Sequence, residues 1–264
     1  MFYETDAASK SPVLLFHRIF NFKKAKVAQL EQRLNTRYTP GPAFPLQAKL
    51  SVAGHDWPAK VQNISGNGVG LLIGRAATVA TGQSARVQLV FNDLRLEIDA
   101  RLAHVKPQEK GVYCGTGLNF GDFTVQKAYL QLLQPIAIGQ SLLPVPPDRV
   151  IQNEPQFIKQ VYRGEADCVL TVWLAMTMGT PVHSFEFRMH DYFCRAKMQT
   201  GVLEAYQLEA TDSHKAKLTN PVFDTTGGLQ DEIRQLFRWI VPNLSDAIPD
   251  DVRAVLQGFA GTRP

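Results

Sequence analysis

Cysteine is scarce. The 264-residue chain has three, Cys114, Cys168 and Cys194, and none lies in a CxxC pair. An odd, sparse set excludes the disulfide scaffold of a small secreted domain and fits a reducing compartment. Long apolar runs are missing too. The longest candidate, Cys168 to Met178, is interrupted by Thr171 and Thr177 and falls short of the roughly 18 residues a membrane helix needs. At the N-terminus Glu4 and Asp6 precede the first apolar run, Val13 to Phe16, the reverse of a signal peptide, so the expected location is the cytoplasm. No GxSxG, Walker A, HExxH or GxGxxG motif is present, which leaves no familiar hydrolase, nucleotide-hydrolysing, metalloprotease or dinucleotide signature. Charge of one sign is nearly balanced out, at a net +4, which by itself does not argue for a nucleic-acid partner.

What is there is ordinary globular material. Hydrophobic residues make up 45% and charged residues 20%, enough for a sizeable core and too apolar for disorder. The length suits one large domain or two modest ones. Residues 12–37 read as a basic amphipathic arm: Val13, Phe16, Ile19 and Phe20, then Val27, Leu30 and Leu34, recur at helical spacing among Arg18, Lys23, Lys24 and Lys26. Packing on its own protein is the favoured reading of this arm, with an interfacial helix at a membrane as the alternative.

A breaker segment, Tyr38 to Pro45, leads into a strand-rich region. Leu46, Ala48, Leu50 and Val52 alternate with polar residues. Pro58 to Ile64, Val69 to Ile73, Val87 to Phe91, Leu94 to Leu102 and Val112 to Phe120 follow, joined by turns at Gly54, Gly82 and Asn92-Asp93. Period-two runs at this spacing predict a six-stranded antiparallel barrel. Phe123 to Leu133 then has helical spacing, and Pro135 is expected to stop it.

Pro144, Pro146 and Pro147 mark a linker. The expected organisation is an arm at 1–29, a barrel domain at 30–138, a linker at 139–149 and a second, α+β domain at 150–264. In that half Cys168 to Met178, Val182 to Met189, Cys194 to Gln199 and Val202 to Glu209 read as strands. Leu229 to Ile240 and Asp250 to Phe259 read as helices.

Two short motifs carry chemistry. Arg33-Leu34-Asn35-Thr36-Arg37 is an RxxxR, and Asn63 to Gly68 is an [DN]xSxxG between two strands. Guanidinium forks bind phosphate oxygens bidentately, reach the O6/N7 edge of guanine and stack on bases. Asn63 and Ser65 alternate, so they share one face of a strand. Gly66 and Gly68 allow close approach and positive φ. An arginine clamp above a polar strand face suits a guanine nucleotide. The RxxxR alone is weak, since roughly one is expected by chance at this arginine content. Arg234 and Arg238 form a second, read as a solvated helix face. The [DN]xSxxG is much rarer.

Together, and in this order, the two motifs resemble the PilZ family of bacterial cyclic di-GMP receptors, over about residues 30–135. The Gly115 to Phe120 segment resembles the family's last barrel strand. The resemblance implies that Arg33 and Arg37 grip phosphates and guanine edges, that Asn63 and Ser65 contact a guanine, and that Gly68 leaves room for ligand and turn. Many members have Gly where this chain has Asn67. Asn tolerates the left-handed conformation, so the departure is mild.

Other clusters have plainer readings. His183, Glu186 and His190 are read as surface polar residues, because alternation leaves at most two on one face. Cys168 and Cys194 are read as core, as are Trp173, Phe185, Phe187, Tyr192 and Phe193. The expectation is a cyclic di-GMP receptor with no catalytic residues, no metal and no cofactor. It signals to a protein partner through the arm or the C-terminal domain. A barrel that has lost its ligand and serves protein interaction is one alternative. A regulated nucleic-acid binder is another, weakened by the lack of a recognition helix. An enzyme in the second domain would need a triad or metal cluster that cannot be assembled from its residues.

Overall fold

A computed structural model describes residues 16, 19, 20, 36–179, 181–189, 192–207 and 228–261. The arm at 1–29 therefore lies outside the described residues except for Phe16, Ile19 and Phe20, of which the two phenylalanines are buried. The chain divides into two units, one built on Pro45–Leu132 and another on Tyr38–Phe44 with the residues from Leu133 onward.

The first unit is a closed antiparallel barrel of six strands: β1 Leu46–Val52, β2 His55–Ser65, β3 Gly68–Ile73, β4 Ser84–Phe91, β5 Leu94–Gln108 and β6 Gly111–Asn119, in the order β1-β2-β3-β6-β5-β4. Closure leaves no free edge. Alternation builds its core. Along β5, Leu94, Leu96, Ile98, Ala100 and Leu102 are buried and the residues between them exposed. Leu50, Ile64, Leu71, Val87 and Phe91 meet them from the other strands, each fully buried. Ala53 and Gly54, at φ 50° and 80°, turn β1 into β2, and Asn92, at φ 49°, turns β4 into β5.

Two β-bulges break the alternation. Val61 pairs with Leu71 but Asn63 with Gly70, so Gln62 is an extra residue in β2. Leu102 pairs with Thr116 but His104 with Gly115, so Ala103 is an extra residue in β5. Each bulge shifts the inside–outside phase by one. After Gln62, Ile64 falls in the core and Asn63 outside it. After Ala103, His104 is turned away from the interior that Leu102 occupies.

Helix α1 runs Phe123–Ser141 and passes straight through Pro135. The expected stop does not occur. Proline removes the bond to the carbonyl of Gln131 and costs about 3 kcal/mol inside a helix. Ile136, Ala137 and Ile138, each at most 1% exposed, are buried by continuing, and full burial of a large apolar side chain returns roughly 1.5–3 kcal/mol.

The second unit is a six-stranded antiparallel sheet covered on one face by two helices. Its strands are β7 Leu143–Pro144, β8 Phe157–Arg163, β9 Cys168–Ala175, β10 Val182–Met189, β11 Tyr192–Lys197 and β12 Leu203–Gln207, in sequence order across the sheet. Pro144 sits in the edge strand β7, where a missing N–H costs least. Helix α2, Gly228–Ile240, lays Phe237 against Phe185 and Phe187 at ring distances of 5.5 and 6.1 Å. Helix α3, Asp250–Ala260, adds Phe259 edge-on to Phe185 at 5.3 Å. The Cys194 thiol, buried beneath α2, donates to the Ile233 carbonyl, and burial pushes its pKa up.

Three readings of this half need correcting. Trp173 and Tyr192 are half-buried rather than core, because they lie outside the helix-covered centre. Arg234 is not simply solvated: its Nε–H donates to the Leu203 carbonyl at 3.3 Å, tying α2 to β12. The strand β8 was not expected at all.

Tyr38–Phe44 is held in the second unit by polar anchors. The Tyr38 hydroxyl donates to Glu165 at 2.5 Å, and the Gly41 N–H donates to the Asn243 side-chain carbonyl at 2.8 Å. A Cβ on Gly41 would come within 1.8 Å of the Pro242 carbonyl oxygen, so only glycine fits there.

Candidate functional site

The barrel carries an open cleft of about 420 Å³, a volume in the range of small-molecule sites. Arg37, Asn63, Ser65 and Gly68 all line it. Four of the five residues that the sequence singles out are thus brought to one place. The fifth, Arg33, lies outside the described residues.

Each side chain is placed by its local backbone. The bulge at Gln62 turns Asn63 out, where its amide nitrogen donates to the Tyr113 hydroxyl at 3.2 Å. Gly70, opposite Asn63, makes this possible: a Cβ there would sit 2.5 Å from the Tyr113 oxygen and 2.7 Å from the Asn63 amide nitrogen. Ser65 ends β2, its hydroxyl 3.3 Å from both the Asn67 side-chain oxygen and the Gly68 carbonyl.

Neither Gly66 nor Gly68 uses positive φ. Gly68 is required for a different reason: an added Cβ would lie 2.7 Å from the Thr116 carbonyl oxygen across the ladder. Asn67 is not left-handed either. Its side-chain oxygen accepts from Ser65, and its carbonyl accepts from the Leu118 N–H at 2.9 Å.

The loop rests on α1. The Tyr129 hydroxyl, fully buried, donates to the Ser65 carbonyl at 2.6 Å. Burial holds the phenol well above its ordinary pKa, so it remains a donor. Phe120 packs on the same ring at 5.2 Å. Tyr129→Phe should cost about 1–3 kcal/mol, because it leaves a buried carbonyl unpaired. It should also weaken ligand binding while Asn63 and Ser65 stay in place. Urea denaturation and ligand titration of the one variant check both, and unchanged stability would mean that the hydroxyl does not anchor the loop.

Three lining residues were not anticipated. His104 stacks on Tyr113 at 5.5 Å and 28°, and Thr116 clamps Val69 through both its N–H and its carbonyl. His104 fits only because residue 115 is glycine: a Cβ there would fall 2.2 Å from the imidazole. The Gly115-Thr116-Gly117 spacing was a partial signal for this, but nothing in the alternation of β5 points His104 outward.

The electrostatics are one-sided. Arg37 is exposed and makes no ion pair or hydrogen bond among the described residues. No carboxylate lines the cleft. An exposed guanidinium, two amide side chains, three hydroxyls and an imidazole make a surface for a polar anionic ligand with hydrogen-bonding edges. Among the described residues no group of three His, Cys, Asp or Glu side chains could hold a metal ion.

The family model for the PilZ domain matches residues 31–134. Among solved structures, the PilZ domain of CeSA from a cellulose-synthesizing bacterium is 11% identical, with a TM-score of 0.31, covering 38% of this chain and 96% of that one. The Borreliella burgdorferi PlzA protein in complex with c-di-GMP is 8% identical, with a TM-score of 0.34, covering 66% of this chain and 86% of that one. No curated protein matches the chain. The motif order and the closed barrel agree with this match, and over residues 31–134 the chain is similar to PilZ domains.

Proposed function

We propose that this protein is a cytoplasmic receptor for cyclic di-GMP and that the barrel cleft is its binding site. The observation that carries the reading is the convergence of Arg37, Asn63, Ser65 and Gly68 on one cleft free of carboxylates. Arg33 and Arg37 bind phosphate oxygens and the guanine O6/N7 edge; Asn63 and Ser65 supply donors and an acceptor to a base. The barrel domain, about 30–138, is a binding module without catalysis. No helix among the described residues is long and apolar enough to cross a membrane.

The signal is a change of order in the Arg33–Arg37 segment. A ligand moves a conformational equilibrium only by contacts made in one state, and the arginines make such contacts. Arg37 is followed directly by Tyr38, which starts the segment anchored to Glu165 and Asn243. Capture of Arg37 therefore pulls on an anchored strap, and the α+β domain beyond residue 150 carries the output to a protein partner.

Titration calorimetry of the full chain tests this. Saturable binding of cyclic di-GMP in the micromolar range or tighter is expected, with no comparable heat from cyclic di-AMP, which lacks the guanine edge. No heat and no thermal shift at about 100 μM ligand, a concentration that would reveal any affinity near −6 kcal/mol, would instead make the barrel a protein-interaction module.

A further inference from the structure

The second unit has a cleft of its own, of about 360 Å³, whose lining includes Trp173, Ser184, Glu186, Arg195 and Lys197, with Lys159 beside it over the Trp173 ring. Phe185 and Phe187 point to α2, so Ser184 and Glu186 between them point the other way. The pairing register places Lys159, Trp173, Ser184 and Lys197 directly opposite one another in a single row across β8, β9, β10 and β11. Every side chain in that row is a hydrogen-bond donor: two ammonium groups, an indole N–H and a hydroxyl. At about 4.8 Å per strand, the two lysines are roughly 14 Å apart and bracket the other two.

None of these donors is used within the described residues. Neither lysine forms an ion pair, the Ser184 hydroxyl makes no side-chain hydrogen bond, and the buried Trp173 indole nitrogen has no acceptor. A buried donor left unpaired is costly and rare, which makes the row an acceptor-seeking surface. Lys159 lies over the Trp173 ring at 5.9 Å. At one end His183, the extra residue of a bulge in β10, stacks on Phe157 at 4.2 Å and 24°, presenting a flat aromatic edge to the cleft. Two carboxylates, Glu154 and Glu186, line the cleft beside Arg195 and Lys197. Glu204 binds Arg195 at 2.7 Å, and Glu186, in the next row opposite Arg195, is half-buried. Burial raises its pKa, against the lowering effect of Arg195, Arg188 and Lys159.

We infer that this cleft is a second ligand site, for a small planar anion bearing an aromatic ring and a phosphate or carboxylate group. The anionic group sits over Trp173 and Ser184 between the two lysines, and the ring lies against the Phe157–His183 pair. Lys159 turns from the indole to the anion as it enters and opens the indole N–H to one of its oxygens. The site is independent of the barrel cleft, since no residue lines both.

The test uses the ¹⁵N-labelled full chain. Indole N–H signals are expected from Trp57, Trp173 and Trp239, and Trp173→Phe identifies the one that matters. Phenyl phosphate and benzoate are titrated in parallel, with inorganic phosphate as the ring-free probe. Saturable movement of the Trp173 signal, with the Trp57 signal still, is expected from one or both aromatic anions, and the tighter of the two identifies the preferred anionic group. Inorganic phosphate should bind at least about tenfold more weakly. Lys159→Ala and Lys197→Ala, both at polar sheet positions, should each weaken binding about tenfold, and Arg37→Ala should change nothing. Absence of a saturable shift, or affinities unaltered by both lysine substitutions in variants with native spectra, would overturn the proposal.

Discussion

Arg37→Ala is expected to weaken cyclic di-GMP binding by about tenfold to a hundredfold while leaving stability unchanged. A charge-assisted bond from a guanidinium to a phosphate or guanine edge contributes roughly 1.5–3 kcal/mol. That range converts to the expected loss at 1.4 kcal/mol per decade. In the free protein Arg37 is exposed and unpaired among the described residues, so nothing in the fold depends on it. Arg37→Lys should recover little, because an ammonium keeps the charge but not the planar fork. Calorimetry and thermal melting of the three proteins together check this. Affinity in Arg37→Ala equal to wild type would remove the clamp from the proposed site, and full recovery in Arg37→Lys would reduce it to a point charge.

The largest loss of stability is expected from Phe237→Ala. Phe237 is 1% exposed and packs against both Phe185 and Phe187, so it is the ring on which α2 meets the sheet. Phenylalanine-to-alanine changes in cores cost about 3–5 kcal/mol through lost burial and the cavity left behind. The exposed neighbour on the same helix, Arg238, should tolerate alanine within about 0.5 kcal/mol. Urea denaturation followed by tryptophan fluorescence compares the two, with Trp239 reporting on this helix. A loss under about 1 kcal/mol for Phe237→Ala would mean that α2 does not close the core of the second unit.

The barrel was largely legible in the sequence, because each strand writes its own burial. Leu94, Leu96, Ile98, Ala100 and Leu102 can face one interior only as a period-two strand, and the Asn92-Asp93 turn fixes where it begins. The strands β9 to β12 and both terminal helices could be read for the same reason. Strand β8 could not. With Lys159 and Arg163 on it and Tyr162 alone buried, it has no alternation to read. It is a strand because β9 supplies the hydrogen bonds. The sequence stops helix α1 at Pro135 because proline is a local signal, whereas the burial of Ile136 to Ile138 that carries the helix past it is not local.

The site divides along the same line. Sequence alone determined which residue types could meet an anionic guanine nucleotide, since the arginines, Asn63, Ser65 and Gly68 stand at spacings that chemistry can interpret. It determined neither the reason for Gly68, which is a carbonyl on the neighbouring strand rather than its own φ, nor the presence of His104 and Tyr113. The outward turn of Asn63 and His104 was decided by two extra residues, Gln62 and Ala103. A bulge is a property of two paired strands: its extra residue has meaning only against the partner's count, which no single strand records. By turning Asn63 and His104 out of the core, the paired strands, not either strand alone, made the wall of the cleft.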